Sequence, residues 1–185
     1  MKKLLIGLIV SLCFIFTAAP VIAAENPFSD VNSNNWFYDS VMYAYENQLF
    51  EGTSATTFAP KEGMTRGMFV TVLARLENAD AYLYTTQRFK DVDSNHWAYT
   101  YVNWAYAHGL TNGIDNTHFG VDRHITREQM SVLFDRYLKY KNENLTSVTE
   151  NYLYADHSSI SNYAISSVTT VSYTHLCCPP YFHKT

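Results

Sequence analysis

Apolar residues recur at helical spacing in four stretches of the chain, and the four fall into two matching pairs. Phe37, Val41, Ala44 and Tyr45 sit at i, i+4, i+7 and i+8, as do Ala98, Val102, Ala105 and Tyr106. Phe69, Val72, Leu73 and Leu76 sit at i, i+3, i+4 and i+7, as do Met130, Leu133, Phe134 and Tyr137. Each set forms one apolar stripe of a helix. The polar residues between them supply the boundaries. Asn34 and Asn95 are candidate N-caps for the first helix of each pair. Gly52 and Gly113 mark a break after it, because glycine readily takes the positive φ that ends a helix. A loop through Phe58-Ala-Pro60 or Phe119-Gly-Val121 leads to a second helix starting at Thr65 or Thr126. Thr126 with Gln129 spells a capping box, whereas Thr65 with Met68 does not. The pattern predicts an all-α chain of helix–loop–helix units, with polar, Tyr-containing linkers over 77–88 and 138–153.

The pairs are copies of one unit. Sliding residues 28–76 forward by 61 positions makes 17 of 49 identical without a gap. Phe28, Asp30, Trp36, Gly52, Phe58, Thr65, Arg66 and Arg75 fall on Phe89, Asp91, Trp97, Gly113, Phe119, Thr126, Arg127 and Arg136. A fixed period means a duplicated structural unit. A unit this small buries too little apolar surface alone, so the copies are expected to pack on each other, with function at the seams. The copies span 25–80 and 81–145. A partial third occupies 146–170: Tyr154-Ala-Asp156 opens it, and Tyr163-Ala-Ile-Ser-Ser-Val168 follows the pattern of Trp97-Ala-Tyr-Thr-Tyr-Val102. No third Gly loop, Phe loop or Thr-Arg start appears after it. Residues 171–185 share nothing with the repeat, and their paired Cys and Pro do not continue a helix. They are expected to be foreign to a repeat that naturally continues.

Residues 1–24 resemble an export signal: Lys2 and Lys3, an apolar run from Leu4 to Ala19, then small Ala23 and Ala24. The run is short for a membrane span of about 20 residues, and no stop-transfer charges follow. No membrane insertion is expected after cleavage. Removal of 1–24 leaves 11 basic against 17 acidic residues, a net charge of -6. This disfavours a nucleic-acid partner, which calls for a basic face. An acidic ligand is then held by a few local cations. Only Cys177 and Cys178 remain after cleavage, so disulfides do not build the domain. Packing of aromatics must stabilise it, and the 15 Tyr either cover a thin core or offer a half-wet surface suited to carbohydrate.

Taken together, Phe-x-Asp-Val…Trp, a mid-repeat Gly, Phe-x-Pro and Met/Ile-Thr-Arg resemble the S-layer homology (SLH) domain. The resemblance covers 28–76 and 89–137 fully and 154–168 in part. It implies repeats packed as a pseudo-threefold bundle, with the third incomplete here. It also implies a secreted protein anchored non-covalently to a Gram-positive-type wall by a secondary cell-wall polysaccharide carrying pyruvate ketals. The family's ligand-contacting Arg carries over to Arg66 and Arg127, its Trp to Trp36 and Trp97, and its loop Gly to Gly52 and Gly113. The Glu of the usual Ile-Thr-Arg-Ala-Glu is absent from both Met64-Thr-Arg-Gly-Met68 and Ile125-Thr-Arg-Glu-Gln129.

Residue chemistry points the same way. Arg66 and Arg127 follow a Thr cap at a helix N-terminus, where a cation is disfavoured by about 0.3–1 kcal/mol unless an anion compensates. Free N–H groups plus a guanidinium suit a carboxylate. The competing reading pairs Arg66 and Arg127 with the recurring Asp30 and Asp91, which are counted with the ligand-binding set. Trp36 and Trp97 serve either as core or as a platform for a sugar ring. Arg75 and Arg136, near a helix C-terminus, read as structural. Asp91-Val-Asp-Ser-Asn95 resembles the start of a calcium loop but has His96 and Val102 where Gly and Glu are required. No metal, cofactor or catalytic motif is expected. The alternatives are the targeting module of a cell-wall hydrolase or glycanase, and the N-terminal anchor of an S-layer lattice protein that self-associates through regions outside this sequence.

Overall fold

A computed structural model describes residues 25–143, 154 and 156–173. The export-signal stretch, most of the second linker and the Cys-Pro tail lie outside the described residues. Five α-helices follow one another: α1 (Tyr38–Glu46), α2 (Arg66–Leu76), α3 (Tyr99–Ala107), α4 (Arg127–Tyr140) and α5 (Ile165–Tyr173). Single 3-10 turns lie at Ala81–Leu83 and His157–Ser159. No strand occurs among the described residues, and none of the helices there is long and apolar enough to cross a membrane. The helix–loop–helix reading stands, with α1–α2 and α3–α4 as copies; α5 falls where the sequence pattern expects the first helix of a third. α5 runs to Tyr173 with Val171 buried, three residues past the end of the recognisable repeat pattern.

The second helices start where the sequence places them. Thr65 Oγ1 accepts from Met68 N, and Thr126 Oγ1 from Gln129 N, each at 3.2 Å. Both starts close as capping boxes, because Thr65 N also finds the Met68 sulfur at 3.5 Å. The pattern does not spell this first box, since sulfur is only a weak acceptor. The first helices start later than expected. Their N-caps are Phe37 and Ala98, with no side-chain cap. Asn34 and Asn95 instead donate their N–H groups to Asn32 and Asp93, in side-chain-closed turns that use up three more residues.

The glycine break is also displaced. Gln48 (φ 57) and Gly109 (φ 73) take the left-handed position that ends α1 and α3. Leu49 N and Leu110 N then return to Ala44 O and Ala105 O, both at 2.8 Å. Gly52 and Gly113 lie deeper in the loop, at φ 85 and 87. A Cβ on Gly113 would stand 2.5 Å from His118 O and 2.6 Å from Phe89 Cε1. Gly113→Ala is therefore expected to cost about 3 kcal/mol, combining backbone strain with a clash. A urea melt would measure it, and an unchanged midpoint would contradict the packing.

One core joins most of the chain. α2 packs on α3, α4 packs on α5, and α2 touches α4. Phe69, Val70, Leu73 and Ala74 of α2 meet Val102, Trp104 and Ala105 of α3, with Phe89, Phe119 and Leu133 closing around them. α2 is wedged between two helices, so its buried face turns from the expected stripe. Val70 and Ala74 are inside, whereas Leu76 is exposed. Under α1 lies a separate small cluster of Phe28, Val31 and Val41, packed by Phe37, Tyr45 and Phe58. No helix precedes α1 among the described residues. Trp104 on α3 is 2% exposed, while Tyr43, its counterpart on α1, is 64% exposed.

Candidate functional site

The site is built by loops that aspartates hold. Asp91 accepts from Phe119 N at 2.8 Å and from Gly120 N at 2.6 Å, one carboxylate oxygen each. Asp30 does the same with Phe58 N (2.8 Å) and Ala59 N (2.7 Å). These bonds tie the start of each repeat to its Phe loop. The Asp30 carboxyl lies below its ordinary value, chiefly because of the Phe58 N–H. Neither Asp forms an ion pair with an Arg among the described residues, so the competing Arg–Asp reading is not realised as a contact, although Asp91 still favours the charged Arg66 from further away. Asp30 and Asp91 shape the loop, each carboxylate oxygen accepting one of these N–H groups.

Arg66 opens α2 and reaches into the second repeat. Its Nε donates to Phe119 O at 2.9 Å, Nη1 reaches Gln129 Oε1 at 3.3 Å, and its guanidinium carbon stands 4.8 Å over the Phe119 ring. The residue is 5% exposed, and burial is the main force lowering its pKa. The backbone N–H groups of Arg66 and Gly67 do not wait for an anion either. They bond the carbonyls of Arg123 and Val121, both at 2.9 Å. The N–H groups at the start of α2 are therefore not free, contrary to the expectation from the helix position: the neighbouring repeat caps the helix. Phe119, Arg123 and Gln129 were missed as site-builders. Two of their bonds run through backbone carbonyls, which leave no trace in residue type.

Arg127 opens α4 in the equivalent position, but it is exposed and its guanidinium has no partner among the described residues. Glu128 beside it receives Ser161 N at 2.8 Å and the Tyr163 hydroxyl at 3.2 Å, which dock the segment leading into α5. The Ser161 N–H leads in holding the Glu128 carboxyl below its ordinary value. Further along the same interface, Ser167 donates to Asp135 at 2.8 Å. The two tryptophans are surface residues and not core. Trp36 is 93% exposed, and Trp97 is 53% exposed at the rim of a cavity beside α2. The core tryptophan is Trp104. Gly52 and Gly113 serve loop geometry, as the close approaches to Phe28 and Phe89 show. Among the described residues no group of His, Cys, Asp and Glu is placed to hold a metal.

A family model described as the S-layer homology domain matches residues 27–67 and 88–131. The chain carries S-layer homology domains. The two matched segments are the α1 and α3 repeats, each ending just inside the Thr-Arg helix, so the SLH unit contains the Asp-held loop and the arginine start together. The chain is 34% identical over 168 residues to an endoglucanase of Bacillus sp. (strain KSM-635), covering 89% of this chain and 18% of that protein. It is 33% identical over 132 residues to a surface-layer 125 kDa protein of Lysinibacillus sphaericus (66% of this chain, 11% of that protein). It is 28% identical over 116 residues to a cellulosome-anchoring protein of Acetivibrio thermocellus (60% and 26%). The chain therefore spans about a quarter or less of the length of each of these three relatives.

The carboxylates of the SLH loops make acid sensitivity a test. Asp30 and Glu128 both titrate below their ordinary values of 3.8 and 4.5. A depressed folded-state pKa gives stability that is complete above the unfolded value and lost as pH falls through the folded one. Melting temperature should hold from pH 7 to about 5 and fall below about 4.5. Asp30→Asn should flatten that fall. An equally steep profile in the variant would remove Asp30 from the account.

Proposed function

We propose that this chain anchors an exported protein non-covalently to the bacterial cell wall by binding an acidic secondary polysaccharide, with Arg66 and Arg127 holding carboxylates of pyruvate ketals. One observation supports the reading: Arg66 is a buried guanidinium with no carboxylate in ion-pair or hydrogen-bond contact among the described residues, Asp91 acting on it only from further away. A buried cation costs several kcal/mol unless it is paired, so an anion supplied from outside has most to gain there. Nη1 and Nε are spent on Gln129 and Phe119, which leaves Nη2 for the ligand. At Arg127 the whole fork is open, and a bidentate grip on a carboxylate is available. Trp97, half exposed, offers an apolar face to a sugar ring. Trp36 offers the same at the start of the first repeat. Gly52, Gly113, Asp30 and Asp91 act by fixing the loops on which these groups stand.

The module binds and does not catalyse in this reading. The matched part of the endoglucanase relative is the SLH region, which favours, as second reading, a glycan-degrading cargo carried by the same kind of anchor. The surface-layer relative favours a lattice-forming cargo. The test is retention on purified walls with and without chemical removal of pyruvate ketals. Retention should fall on the stripped walls, and equal retention on both would defeat the carboxylate mechanism.

A further inference from the structure

The two repeats differ in one occupancy. In the second, the Phe119 loop is filled by the side chain of Arg66, held by the Phe119 carbonyl, the Phe119 ring and Gln129. Sixty-one positions back, the same places are Phe58 and Met68. There a cavity of about 600 Å³ stands where the arginine would be, lined by Phe58, Pro60, Glu62, Met68, Thr71 and Trp97 among others. Two of its polar atoms stand without a partner among the described residues. No donor meets the Phe58 carbonyl among the described residues. Thr71 is 4% exposed, and its Oγ1 has no hydrogen-bond partner among the described residues.

The charges around this cavity also admit a cation. Glu62 occupies the position of Arg123, and Arg123 acts against the charge of Arg66. Glu51 replaces Asn112 and pairs with Arg75 at 2.8 Å. Arg75 itself does not exclude a guanidinium. It also donates to Leu49 O, as Arg136 does to Leu110 O beside the filled seat, both at 3.3 Å. Phe58 and Trp97 present aromatic surface for a planar cation.

We propose that this cavity binds an arginine side chain presented at a helix start by another protein chain. The inference goes beyond the polysaccharide reading, since its ligand has the opposite charge, and the two can fail separately. The probe is a synthetic peptide of residues 122–140, which contains the Thr126-Arg127 start, titrated into the whole protein and read by NMR at the Met68 methyl and the Trp97 indole. Both signals should shift saturably. The Arg127→Ala form of the peptide should bind about tenfold more weakly or worse, the loss expected for one charge-assisted pair. In the protein, Glu62→Lys replaces a carboxylate of the cavity lining by a cation and should weaken peptide binding about as much. Equal affinity for the two peptides, or no movement of Met68 and Trp97 at saturation, would overturn the proposal. If the peptide fails while wall retention persists, the seat alone falls.

Discussion

Arg127→Ala lowers retention on purified walls about tenfold or more, and its melting temperature stays within about one degree of the parent. The size is that of one charge-assisted bidentate pair, and each 1.4 kcal/mol is a factor of ten in affinity. The unchanged melt follows from exposure: the Arg127 guanidinium has no hydrogen-bond or ion-pair partner among the described residues. Arg66→Ala behaves differently. Retention falls, and stability falls with it by about 3 kcal/mol, because the Phe119 carbonyl and Gln129 lose a buried donor and a cavity remains. Arg66→Lys separates the effects, since it keeps the charge and loses the fork. Full retention by Arg127→Ala would remove that residue from the binding site whatever the fate of Arg66.

The second large effect compares equivalent positions. Trp104→Ala should cost about 3–5 kcal/mol, the range for deleting a large buried aromatic. Tyr43→Ala, at the same place in the first repeat, should stay within about 0.5 kcal/mol, because its ring lies mostly in solvent. Chemical denaturation of both variants checks it. Equal losses would mean that α1 is covered as α3 is. The contrast measures how far the repeats differ in environment despite sharing sequence.

The helices and their order were legible because apolar spacing and Thr caps are local signals. Thr65 and Thr126 cap as read, and α2 and α4 begin at the expected residues. Local signals also misled where a competing turn existed. Asn34 and Asn95 are good caps, but Asn32 and Asp93 close tighter turns with them first. Gly52 and Gly113 read as helix stops, yet Gln48 and Gly109 end the helices, and nothing in glutamine announces a left-handed residue. The faces of α2 could not be read from its own sequence, since α3 and α4 decide them. For the site, the recurrence of Arg66 and Arg127 was visible, but their inequality was not. Arg66 is seated by carbonyls more than fifty residues downstream, and the matching seat for Arg127 is not found among the described residues. The Arg–Asp pairing was a fair inference from recurrence. It fails because the aspartates bind the Phe loops through backbone N–H groups, a partner that composition never shows.

The first turn of α2 is completed by carbonyls of Val121 and Arg123. A ribosome delivers residue 66 well before residue 123. During that interval the leading unit lacks the groups that finish its own helix. Locking comes as the trailing unit arrives, and it sets both units at once.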